Sequence, residues 1–226
     1  MKKTFIAANW KSNMTNLEVK SWLGGFNVQD LKFIDKKIVI CPPFTLLPAL
    51  NSLIAKNKLP IYLGSQNISP LDEGAYTGEI NGKQIKEFAE FVIVGHSERR
   101  KNFFESEEMV NLKISQAFKY GLMPIICVSD LEQVKTLQER VRGKFQFNVA
   151  YEPLFAIGSG IADTPENANR MAKKIKDILG GIPVLYGGSV TSNNINAFTK
   201  MSDINGVLVG KASLDPLEFL QIIKNA

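Results

Sequence analysis

A (β/α)8 barrel, eight parallel strands each followed by a helix, is the α/β fold class this sequence predicts. Three observations carry it. Short β-branched, aromatic or otherwise apolar runs recur eight times along the 226 residues. Most are nearly continuous rather than alternating, as parallel strands covered on both faces require. Helix-like segments lie between them, and no Pro/Ser-rich linker or low-complexity stretch divides the chain, so residues 1–226 read as a single domain. An open doubly wound sheet is the alternative. It usually carries a glycine-rich turn after its first strand, where this chain has Asn9-Trp10-Lys11.

In chain order, TFIAAN from Thr4 is the first strand, KIVIC from Lys37 the second and PIYLGS from Pro60 the third. FVIVG from Phe91 is the fourth, and its glycine lets the chain turn at the strand end. MPIICV from Met123 follows, and a compact stretch then leaves room for only a short helix over Leu131–Arg142. The sixth strand is FQFNVAY from Phe145. Next, Thr164-Pro165-Glu166 opens a helix, with a capping hydroxyl, a proline in the first turn and an acid at the positive end. IPVLYG from Ile182 and GVLVG from Gly206 complete the set, and Asp215-Pro216 opens the last helix.

Composition excludes several function classes. Twenty-seven basic and 22 acidic residues give a net charge of +5, which suits attraction of a small anion but equally an evenly solvated surface. No Lys/Arg tract with interleaved aromatics points to nucleic acid. Cys41 and Cys127 follow apolar runs and read as buried, reduced thiols, and one histidine with two cysteines leaves little for a zinc site. The apolar run after Met1-Lys2-Lys3 is too short for a signal peptide, and no run could span a membrane, so the cytoplasm is the default location.

A barrel places its chemistry at the C-terminal ends of its strands. Asn9-Trp10-Lys11 follows the first strand, Gln66-Asn67 the third, and His96-Ser97-Glu98-Arg99 the fourth. Tyr151-Glu152-Pro153 ends the sixth and runs into LFAIGSG. Gly187-Gly188-Ser189 follows the seventh, and Gly210-Lys211-Ala212 the eighth. His96 is the only histidine. A lone histidine is more often structural than functional, but here an imidazole, an amine, an amide, a carboxylate and glycine turns all point to one mouth. If Ser97 starts a helix, its positive end disfavours imidazolium and leaves a neutral ring that can donate a hydrogen bond. If the AIGSG loop closes over Glu152, desolvation raises its pKa toward the range of a general base. Glycine turns let backbone N–H groups approach an anion, which suits Gly158, Ser189, Gly210 and Lys211.

The motifs ANWK, GAYTGE, VGHSERR, AYEPLFAIGSG, YGGSV and LVGKASL, in this order, resemble those of the triosephosphate isomerase family over nearly the whole chain. The resemblance implies a TIM barrel, without metal or organic cofactor, that interconverts dihydroxyacetone phosphate and D-glyceraldehyde 3-phosphate in glycolysis and gluconeogenesis. It makes Glu152 the base that moves the carbon proton and His96 the group that serves the two oxygens. A neutral histidine working beside a glutamate is itself the known arrangement of triosephosphate isomerase, so these two roles come with the resemblance. Lys11 and Asn9 stabilise charge and hold the substrate, Glu98 pairs with or orients Lys11, and Thr77 is a supporting residue. The loop Gly74–Glu79 is implied to insert into a second copy, forming a homodimer. Another phosphosugar isomerase would need a different acid–base pair, and a barrel kept only as a scaffold need not keep Glu152.

Three positions depart from the family pattern. Lys211 stands where a second glycine is usual, and its side chain either projects outward, distorts the phosphate site or adds a second positive charge. Phe155 replaces a tryptophan, and Cys127-Val128-Ser129-Asp130 replaces Cys-x-Gly-Glu. Phenylalanine has no indole N–H for a carboxylate near Asp130 to accept, so the lid is expected to be held in another way.

Overall fold

The eight apolar runs fold as strands and pair in parallel with their sequence neighbours, and the eighth returns to the first to close the barrel. The computed structural model describes residues 4–25, 36–141 and 146–226. The strands are β1 (Thr4–Asn9), β2 (Lys36–Cys41), β3 (Ile61–Ser65), β4 (Phe91–Val94), β5 (Met123–Val128), β6 (Asn148–Tyr151), β7 (Val184–Tyr186) and β8 (Gly206–Val209). Two are notably shorter than their sequence runs. β6 starts at Asn148, and Phe145, like Arg142 of the expected short helix, lies outside the described residues. That helix covers Leu131–Arg140. β7 starts at Val184 because Pro183 has no N–H for the ladder. The Val184 N–H goes instead to the Asn205 side chain at 3.1 Å.

The near-continuous apolar runs are explained by two cores. Alternate residues point inward, so that Phe5, Ala7, Val39, Cys41, Ile93 and Cys127 pack inside the barrel. Their neighbours, such as Ile6, Ala8, Ile38 and Ile40, pack outward against the helices. Both cysteines are buried free thiols, and burial pushes each well above its ordinary pKa. The expected helix starts are present: the Thr164 hydroxyl accepts the Asn167 N–H at 3.2 Å, and the Asp215 carboxylate accepts those of Leu217 and Glu218.

The strand ends are fixed by polar ties as well as by apolar packing. Buried Lys113, on the helix Glu107–Lys119, donates to Glu105 and, at 2.8 Å, to Asn67 beyond β3. Arg99 binds the same Glu105 oxygen. A charge buried this deeply is tolerated only when paired, so the cluster fixes the loops after β3 and β4 relative to each other.

At the closing seam β8 lies against β1 so tightly that a Cβ on Gly206 would fall 1.8 Å from the Phe5 carbonyl oxygen. Gly206→Ala is therefore expected to cost about 3 kcal/mol of stability, the upper end for overpacking. Denaturant unfolding of the two proteins reads this directly, and a loss below about 0.5 kcal/mol would contradict so close a seam.

Candidate active site

His96 follows β4 through Gly95, whose φ of +70° turns the chain sharply at the barrel mouth. It caps the helix Ser97–Asn102, with its ring only 7% exposed. Its Nδ1 accepts the Glu98 N–H at 3.2 Å. A nitrogen that accepts carries no proton, so the ring is neutral with its proton on Nε2. That Nε2–H donates to Glu152 Oε1 at 2.9 Å. The other carboxylate oxygen, Oε2, accepts the Ser97 N–H at 2.8 Å.

Glu152 follows β6 and is 1% exposed. Desolvation raises its pKa, the direction expected from sequence once the loop closes over it, and neighbouring groups oppose that shift in this state. Burial does push the carboxyl up, but the His96 ring and the Ser97 N–H hold it down and prevail, leaving it below its ordinary value. The carboxylate thus accepts one hydrogen bond at each oxygen, from the His96 ring and from the Ser97 N–H.

Lys11 reaches the same mouth from β1 in a left-handed conformation, φ +53°, that costs a non-glycine residue about 1 kcal/mol. Two side chains hold it there. Asn9 Oδ1 accepts its N–H at 3.0 Å, and among the described residues Asn9 Nδ2 has no hydrogen-bond partner. The Gln66 amide donates to its carbonyl at 2.8 Å and to that of Cys41 at 2.9 Å. The ammonium of Lys11 is bonded to Glu98, so the expected pairing is present. In the sequence Gln66 is only an amide at a strand end, with no role attached. Its brace across β1, β2 and β3 depends on three-dimensional proximity, which no local motif encodes.

These groups line one cavity of about 410 Å³: Asn9, Lys11, His96 and Glu152, together with Gly158, Ser189, Gly210 and Lys211. Glu98 acts from outside the lining through Lys11, and Thr77 lies on the exposed Gly74–Glu79 loop away from the cavity. Over the mouth runs the segment after Glu152, with Leu154, Phe155 and Ile161 all largely bare. Both of its ends are tied to the end of β7 and the residues just past it. Ser189 donates to the Ala156 carbonyl at 2.8 Å, and the Tyr186 hydroxyl accepts the Asp163 N–H at 2.8 Å. Phe155 is 59% exposed, and Asp130 caps its own helix by accepting the Gln133 N–H at 2.9 Å. Among the described residues, no hydrogen bond joins Asp130 to the lid.

The cavity thus pairs a carboxylate base with a neutral hydrogen-bond donor, a lysine and an anion-sized glycine-lined end. The sequence profile of the triosephosphate isomerase family matches residues 4–226. Curated relatives named triosephosphate isomerase include those of Dictyoglomus turgidum and Dictyoglomus thermophilum, each 41% identical over 251 aligned positions that cover 100% of both chains. That of Trichodesmium erythraeum is 40% identical over 240 positions, covering 99% of each. With a profile match over nearly its whole length and full-length relatives at this identity, the chain belongs to the triosephosphate isomerase family.

Proposed function

We propose that this barrel, one domain over residues 1–226, is an intramolecular aldose–ketose isomerase that interconverts dihydroxyacetone phosphate and D-glyceraldehyde 3-phosphate. The observation that carries the reading is the pair of an ionised, buried Glu152 and a neutral His96 in one cavity with Lys11. The carboxylate takes a proton from the carbon beside the substrate carbonyl. The carbonyl oxygen meanwhile accepts the Nε2–H that His96 now donates to Glu152, so the substrate replaces an existing hydrogen bond. Negative charge then develops on the two oxygens of an enediolate. His96 and Lys11 face that charge, and preorganised donors of this kind act where charge appears in the transition state. Protonation of the neighbouring carbon by Glu152 completes the isomerisation, while His96 moves a proton between the oxygens.

Gly158, Ser189, Gly210 and Lys211 form the end of the cavity that receives the phosphate. Asn9 positions the substrate through its free amide donor, and Glu98 orients Lys11. The lid keeps water from the enediolate, which would otherwise eliminate its phosphate. The loop Gly74–Glu79 supports a homodimer. Tyr76 within it is 45% exposed, and Thr77 beside it would complete the supporting contacts in a second copy. No helix among the described residues is long and apolar enough to cross a membrane. Glycolysis and gluconeogenesis in the cytoplasm are the setting that suits this reaction.

A coupled isomerisation assay tests the mechanism. Removing the base, as in Glu152→Gln, should lower kcat by about 10²–10⁴-fold with the fold retained by circular dichroism. Equal activity in the two proteins would contradict it. A pH series on the same pair tests the ionised state. Because the folded pKa of Glu152 lies below its unfolded value, its ionisation stabilises the fold above about pH 4.3. That contribution is lost as pH falls through the lower folded value. The stability difference between wild type and Glu152→Gln in urea should therefore be constant above about pH 5 and shrink toward about pH 3. A wild type that gains on the variant as pH falls would contradict the direction of the shift.

A further inference from the structure

His96 is fixed through the peptides on either side of it as well as through its ring. The Gly95 carbonyl, which belongs to the peptide joining Gly95 to His96, accepts the Arg100 Nε–H at 2.8 Å. The His96 carbonyl, in the next peptide, accepts the N–H groups of Arg99 at 2.8 Å and Arg100 at 3.1 Å. Arg100 therefore holds both flanking peptides, one with its side chain and the other with its backbone.

The guanidinium is itself anchored. Its Nη1 donates to Glu107, the first residue of the helix Glu107–Lys119, and the side chain is only 15% exposed. A planar guanidinium with N–H groups in fixed directions can serve a carbonyl and a carboxylate at once, where a lysine offers a single compact charge. The fit around the turn is close. A Cβ on Gly95 would lie 3.0 Å from Arg100 Nη2 and 3.1 Å from Val110, on the same helix as Glu107. Gly95 also has φ +70°, so the chain direction into His96 depends on a residue with little conformational preference of its own.

The bonds of the ring, from the Glu98 N–H to Nδ1 and from Nε2 to Glu152, select its tautomer and its partner. Once substrate replaces Glu152 at Nε2, the second of these is gone, and the aim of the ring rests on the peptide from which it projects. A misplacement of about 1 Å can cost on the order of a hundredfold in rate.

We infer that Arg100 is a positioning residue for this reaction: tied to Glu107, it holds the Gly95 carbonyl and so aims the His96 Nε2–H at the substrate oxygen. The inference rests on the proposed isomerase reading for the step it serves, and the aim of the ring is measurable without turnover.

The test compares wild type, Arg100→Met and Arg100→Lys, with rates taken per folded protein. Methionine keeps an unbranched apolar stem but donates nothing, so kcat for the triose phosphate should fall about 10–100-fold. KM should stay within about threefold, because Lys11 and the glycine turns that receive the phosphate are untouched. Lysine keeps the charge but not the fork, so its kcat should lie between the other two. In the ligand-free protein, the ¹⁵N resonance of His96 Nε2 should move in Arg100→Met as its bond to Glu152 loosens. Unchanged kcat in both variants, a loss carried by KM instead, or an unmoved Nε2 resonance would overturn the inference. If Arg100→Met does not fold, Arg100→Lys decides by the same three readings. A wild type without isomerase activity would sink the reaction assignment, and the Nε2 resonance would still decide whether Arg100 aims the ring.

Discussion

The first turn of the helix Ser97–Asn102 organises the site through two adjacent backbone N–H groups. One, from Glu98, fixes the tautomer of His96 by occupying Nδ1. The other, from Ser97, holds Glu152 in its ionised form from across the barrel. A carboxylate that is 1% exposed would be severely destabilising without partners. Here each oxygen has one, and the imidazole that supplies the second is oriented by the same helix start. The base is thereby kept charged in a dry place, and the donor it needs is kept neutral beside it. Substrate entry has to break the His96–Glu152 bond and take over its donor, which converts a stabilising contact of the resting protein into catalytic work.

That arrangement depends on barrel closure. β4 and β6 are both neighbours of β5, so residues 96 and 152 meet only because the parallel register carries their strand ends to one rim. Lys11 is brought there from β1 in a strained conformation held by Asn9 and Gln66, whose amide reaches two carbonyls. Strain of this kind persists where surrounding contacts over-determine it. The lid shows the same economy. Tyr186 and Ser189, at the end of β7 and just past it, tie both its ends, while Asp130 is spent capping a helix and Phe155 remains exposed.

Much of this is legible in the sequence. The continuous apolar runs reveal strands buried on two faces, and the residues immediately after them mark the mouth, because position along a parallel strand translates directly into depth in the barrel. Asn9, Lys11, His96 and Glu152 stand out in that way. The direction of the Glu152 shift does not, because a sequence shows that a carboxyl will be buried but not which N–H groups will meet it. Gln66 and the Tyr186 hydroxyl escape notice as braces for the same reason: their partners, the Cys41 carbonyl and the Asp163 N–H, lie on other strands or loops. The shortening of β7 turns on a single missing N–H at Pro183, a detail that an apolar pattern does not weigh.

With one histidine in 226 residues, selective ¹⁵N labelling of histidine gives a spectrum of His96 alone. Ring ¹⁵N shifts in the ligand-free protein at neutral pH test the central claim most directly, because they report which nitrogen bears the proton. The structure predicts an unprotonated Nδ1 and a protonated Nε2, with Glu152→Gln moving the Nε2 shift more than that of Nδ1. Two protonated nitrogens, or a proton on Nδ1, would contradict a neutral donor poised on the carboxylate.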